Sequence, residues 1–202
     1  MKKTKKTKRT NNFIRSICLL ILSFSILSLA VSCRPKLDDA QAVEILKEKL
    51  PISFDVISAV YGELLYCNEE DAKTIDEKWT TPHYFKVDKE CKYTTIAAIK
   101  ADAEKVFTPT YLETVYEYAF VGNDETMSRF AEHEGVLTID VVKEPYGVLT
   151  DIYPETAKVV KSNGYYAEIT VDCSADGGKT IKSTVIKLSC VNGNWLFNGP
   201  TY

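Results

Sequence analysis

Hydrophobic and polar positions follow three different patterns along the chain. Residues 17–31 are apolar except for three serines, a run shorter than the roughly 18–20 residues a membrane-spanning helix needs. From position 38 the period is helical. Asp38 with Gln41 forms an N-terminal capping signature, and Val43, Leu46 and Leu50 follow at helical spacing. Pro51 is expected to stop that helix, and Ser53 to cap a second one carrying Ile57, Val60, Tyr61 and Leu64 on one face. The charged residues 68–78 are predicted to be solvated loop or hairpin edge, and residues 83–87 a strand. Thr94 or Thr95 then caps a helix that aligns Ile96, Ile99, Ala103 and Val106. Thr108-Pro109 reads as the N-cap and first residue of another helix, where proline's missing N–H costs nothing. Its apolar stripe is Leu112, Val115, Tyr116, Ala119 and Phe120, and a short turn or helix is expected near 125–133.

The last third switches to period two. Leu137, Ile139 and Val141 alternate with polar residues. Residues 156–162 and 165–173 flank Asn163-Gly164, a strong hairpin signal. A further strand covers about 180–191, and Asn192-Gly193 turns the chain into a last one over 194–198. Helices first and an antiparallel meander afterwards predict an α+β fold. The N-terminal helices pack on a curved antiparallel sheet of about four to six strands, formed mainly by the C-terminal half.

Charge changes the reading of the first stretch. The 202 residues carry 25 basic and 28 acidic side chains. Seven of the basic ones (Lys2, Lys3, Lys5, Lys6, Lys8, Arg9 and Arg15) precede position 33, where there is no acid. A basic start, an apolar core and a small-residue exit form an export signal. Its end, Leu29-Ala30-Val31-Ser32-Cys33, resembles the lipobox of bacterial lipoproteins, although Leu29 stands one place further from the cysteine than in the commonest form. The resemblance implies cleavage after Ser32 and a diacylglycerol on the Cys33 thiol, anchoring the protein to a bacterial membrane outside the cytoplasm. The competing readings are a retained membrane anchor and an unlipidated secreted protein. The expected organisation is a signal peptide over 1–32, a short lipid-anchored tether over 33–37 and one α+β domain over 38–202. Removing the leader leaves 18 basic against 28 acidic side chains. That balance argues against nucleic acid as a partner and for steering of basic ones.

In that compartment cysteines can pair, and an anaerobic source would leave them reduced. With Cys18 in the leader and Cys33 lipidated, Cys67, Cys91, Cys173 and Cys190 remain. A Cys173–Cys190 bridge conflicts with the hairpin, which would hold the two thiols some 30 Å apart. Cys67 and Cys91 are the candidate disulfide, and Cys173 and Cys190 read as small buried hydrophobes.

Catalytic motifs are missing. Gly177-Gly178-Lys179-Thr180 lacks the leading glycine of a phosphate loop and lies between strands, so it reads as a hairpin turn. Glu132-His133-Glu134 has no second histidine four places after His133, where Leu137 stands, and the only other histidine is His83. No cofactor or metal is expected, and carboxylates alone leave a paired-carboxylate hydrolase open. Tyrosine is abundant, with 12 residues, and it is a frequent recognition residue. Tyr111, Tyr153, Tyr165 and Tyr166 are the candidate partner-binding residues.

Two segments carry a family resemblance. Val106-Phe107-Thr108-Pro109-Thr110-Tyr111-Leu112 resembles a helix junction of a group of bacterial lipoproteins. Asn194-Trp195-Leu196-Phe197-Asn198-Gly199-Pro200-Thr201-Tyr202 resembles their closing strand. The order of elements is similar to that of the secreted bacillary inhibitors of cell-wall DL-endopeptidases and, more loosely, to cystatin-like and nuclear-transport-factor-2-like folds. The resemblance implies a non-enzymatic extracytoplasmic protein that blocks a secreted peptidoglycan hydrolase. It transfers no binding residue, since Phe107 and Trp195 are expected to fill the core. The alternatives are a small-molecule-binding protein or enzyme using a cone-shaped cavity between helices and sheet, with His83 or His133 at it, and a structural surface protein without a specific ligand.

Overall fold

Asp38 opens the first helix, α1 (Asp39–Tyr61), through a complete capping box with Gln41. The computed structural model describes residues 36–62, 84–122, 128–133, 135–140 and 150–201. The chain divides at Lys36, and the fold is that of the compact unit Leu37–Tyr202. Cys33, Cys67, Leu64, residues 68–78, His83 and Val141 lie outside the described residues. No helix among the described residues is long and apolar enough to cross a membrane.

Pro51 does not stop α1, and Ser53 does not open a second helix. Lys47, whose carbonyl the missing N–H would have met, is exposed, as is Pro51. Water can therefore satisfy the orphan carbonyl. Burial of Val56, Ile57 and Val60 beyond the proline contributes about 1.5–3 kcal/mol each, which outweighs the roughly 3 kcal/mol cost of an interior proline. Ser53 is buried inside the continuous helix, and its hydroxyl hydrogen-bonds the Thr201 hydroxyl.

The other helices follow the periodicity. α2 (Ile96–Val106) is capped by Thr95 and buries Ile99, Ala103 and Val106. α3 (Pro109–Tyr116) is capped by Thr108, with the proline in its first turn, and continues into a π-turn over Glu117–Val121.

The fold is α+β, and the described residues include seven strands in two antiparallel sheets. β1 (Tyr84–Lys86), β2 (Phe130–His133) and β3 (Val136–Asp140) form the smaller sheet, with β3 central. The turn or helix expected near 125–133 is therefore strand β2 over 130–133. Its antiparallel pairing with the strand that follows it closely, Phe130 with Ile139 and His133 with Val136, supplies cross-strand hydrogen bonds that the propensity of a single segment does not register. β4 (Asp151–Ser162), β5 (Tyr166–Ser174), β6 (Lys182–Val191) and β7 (Asn194–Phe197) form the four-stranded meander. Gly164 and the pair Asn192-Gly193 take positive φ in its turns. β4 begins five residues earlier than the expected 156 because a bulge lengthens it. Residues 154–157 stand against the single residue Val171. Thr156 stitches the bulge, its hydroxyl donating to the Tyr153 carbonyl and accepting from the Asp172 N–H.

One core joins helices and sheets. Phe107, Phe197, Leu46, Ile57, Ile99, Ile169 and Leu188 are all nearly solvent-free within it, and Trp195 packs against it. The α2–α3 junction is fastened to β7: Phe107 bridges Phe197, and the Thr108 N–H donates to the Phe197 carbonyl at 2.9 Å.

Candidate functional site on the four-stranded sheet

Strand alternation gives the larger sheet two chemically distinct faces. Ala167, Ile169, Val171 and Cys173 of β5 turn to the core, leaving Tyr166, Glu168, Thr170 and Asp172 on the opposite face. Cross-strand register extends these residues into rows. Tyr153 meets Asp172, which meets Ser183; Lys158 meets Thr170 and then Val185; Lys161 meets Glu168 and then Lys187. Lys158, Lys161, Val185 and Lys187 are exposed. The face thus mixes tyrosines, carboxylates and lysines with hydroxyls and Val185, and its lysines are open to a partner.

Local hydrogen bonds preset this face. The Tyr166 hydroxyl donates to Glu168 Oε1 at 2.7 Å, and the Lys161 ammonium sits 5.7 Å from the Tyr166 ring centre. The bond to Glu168, with burial and the carboxylate's charge behind it, raises the Tyr166 pKa, so the phenol stays protonated. Ser183 Oγ donates to Asp172 at 2.7 Å.

At the end of the sheet formed by the β5–β6 turn lie two adjoining recesses. One, of about 110 Å³, is lined by Thr150, Ile152, Cys173, Thr184, Ile186 and Thr201. The other, of about 260 Å³, is bordered by Thr150, Cys173, Ser174, Asp176, Thr180 and Lys182. Each falls below the roughly 300 Å³ at which pockets bury a drug-sized ligand. They suit a partner's side chain or one small polar molecule. Cys173 is a buried free thiol at their floor. Asp176 on the rim is held at a pKa of about 2, first by the Ser174 hydroxyl and then by the Thr180 N–H, so it is always charged near neutrality.

The candidate tyrosines separate. Tyr153 and Tyr166 lie on the open sheet face. Tyr165 is 59% exposed at the β4–β5 turn. Tyr111 packs half-buried against Phe107, with ring centres 5.1 Å apart, and belongs with the core. Of the candidate disulfide, Cys91 is half-buried beside the core, and Cys67 lies outside the described residues. The register sets Cys173 opposite Lys182, while the Cys190 N–H reaches the carbonyl of Tyr165, eight positions before Cys173 and just ahead of β5. A bridge between Cys173 and Cys190 is thus out of reach. Gly177-Gly178-Lys179-Thr180 is the β5–β6 turn. Glu132, next to His133, spends its carboxylate on the Ile96 N–H at the start of α2, at 2.6 Å.

Sequence reasoning missed the rim recesses, since Thr150, Cys173, Asp176 and Lys182 come together only through the fold. It also missed Arg129. This side chain is 4% exposed and donates to the carbonyls of Asp140 and Gly62 at 2.7 and 3.0 Å, tying the end of α1 to β3. A single arginine in a polar stretch gives no signal for such a role. Compared with known proteins, the sequence matches no family model and no curated protein.

Proposed function

We propose that this is an extracytoplasmic, lipid-anchored binding protein without catalytic activity, and that its partner is a secreted cell-wall hydrolase of the DL-endopeptidase class, which it inhibits. The anchor rests on the leader ending at Cys33. The observation that carries the binding role is the open face of the four-stranded sheet. There tyrosines, lysines and carboxylates stand in register, while the recesses of about 110 and 260 Å³ open at the β5–β6 end of the sheet, lined by residues of its other face such as Ile152, Cys173 and Thr184. Rigid aromatics flanked by charge are the usual ingredients of a protein-recognition patch. The space between helices and sheet is occupied by Phe107, Phe197, Leu46 and Ile169, which favours surface recognition over a cone-shaped interior site.

The test adds the purified protein to a DL-endopeptidase and follows release of peptides from cell wall. Inhibition is expected at micromolar concentration, and Tyr166→Ala with Lys187→Ala should weaken it by about tenfold or more. A hydrolase that is unaffected at that concentration removes the inhibitor reading. A small polar ligand in the rim recess is the second reading, favoured by the volume and the mixed polar lining; binding abolished by Thr184→Trp would support it.

A further inference from the structure

The chain enters the domain at one defined corner. Leu37 is buried, and its N–H donates to Ser162 Oγ at 2.8 Å. Two residues on, Asp39 accepts the Val159 N–H at 2.7 Å. The entry is thereby pinned beside the β4–β5 turn. The Cys190 N–H donates to the Tyr165 carbonyl at 2.7 Å, which brings the β6–β7 turn, Asn192-Gly193, to the same end of the sheet.

This end has the composition of an interfacial surface. Tyr165 is 59% exposed and Val160 63% exposed. Lys161 is exposed, as are Asn163, Asn192 and Gly193. The acids nearby are engaged: Asp38 caps α1, and Asp39 holds Val159 and Lys158. Elsewhere the domain is acidic, and from Cys33 onward the chain has 18 basic against 28 acidic side chains. An anionic bilayer repels such a body as a whole, and at this end Lys161 is exposed while Lys158 pairs with Asp39.

Tether length completes the argument. Cys33 stands four residues before Leu37, so even a fully extended chain places them no more than about 14 Å apart. We infer that the end of the domain carrying Tyr165, Val160, Lys161 and the Asn192-Gly193 turn rests on the membrane surface. Tyr165 sits at the headgroup level, where an amphipathic ring is favoured. The β5–β6 turn and its recesses then point away from the bilayer, about 27 Å higher along β5. The inference rests on the lipid-anchor reading of Cys33.

The experiment uses the full chain with its leader, produced in a bacterium that processes lipoproteins. A photoreactive benzoylphenylalanine replaces Tyr165, Asn192 or, at the opposite end, Lys179. After irradiation of intact membranes, mass spectrometry of the protein is expected to find phospholipid adducts at positions 165 and 192 and none at 179. The same spectra report the mass of the peptide beginning at Cys33. Diacylglycerol on Cys33 with no phospholipid adduct at 165 and 192, or with equal adducts at all three positions, overturns the orientation and leaves the anchor. A protein adduct in place of a phospholipid adduct at 165 and 192 overturns it too. No lipid on Cys33 overturns both.

Discussion

Thr108 performs two tasks with one hydroxyl. It accepts the Tyr111 N–H to cap α3 and donates to the Asn198 side chain beyond β7, at 3.0 Å. The cap was legible because Thr-Pro is a helix-start signature; the link to Asn198 was not, because the two residues lie 90 positions apart. Asp176 works in the same economical way within the β5–β6 turn, drawing in the Ser174 hydroxyl and the Thr180 N–H. Its folded pKa, about 2, lies below the ordinary 3.8. A depressed carboxylate contributes stability above its unfolded pKa and loses it as pH falls through the folded value. The turn is therefore expected to loosen between about pH 4 and pH 2, which NMR titration of the Asp176 carboxyl and amide exchange at Gly178 and Thr180 would follow. Asp176→Asn should speed exchange at those amides already at neutral pH. Exchange there that is unchanged both in the variant and across this range would show that the carboxylate does not hold the turn.

Among the elements, those whose signal is local were readable and those set by pairing were not. α2 and α3 carry an apolar stripe and a threonine cap within their own residues. The meander strands carry period-two alternation between Gly and Asn-Gly turns. α1 defied its proline because burial of its second half is a tertiary gain. β2 is a strand because β3 accepts it as a neighbour. The split into a three-stranded and a four-stranded sheet has the same origin, since nothing in a strand's alternation names its partner. Pro51→Ala restores a helix N–H without disturbing a buried contact, as Pro51 is exposed. It should stabilise the protein by about 1–3 kcal/mol, read as a rise in urea midpoint at constant slope. A loss of stability would mean that α1 needs the bend that a proline imposes.

At the scale of the molecule, the junction of Phe107, Thr108 and Phe197 joins the helical half to the end of the meander. Phe107 and Phe197 are solvent-free, with ring centres 6.0 Å apart. Phe197→Ala should cost about 3–5 kcal/mol, measured by denaturant unfolding, and should release the Thr108 N–H from its β7 carbonyl. A cost near that of a surface change, below about 0.5 kcal/mol, would show that the two halves do not share this core. The sequence by itself determined the α+β class, the capped helices, the meander with its turns, and the pattern of a basic start followed by an apolar run over residues 17–31. Each is written in residues a few positions apart, where periodicity and backbone preference act. Tertiary structure alone decided the passage of α1 through Pro51, the division into two sheets, the burial of Arg129, the rim recess and the corner at which the chain enters. These depend on which distant surfaces exclude water from each other, and no local pattern encodes that choice.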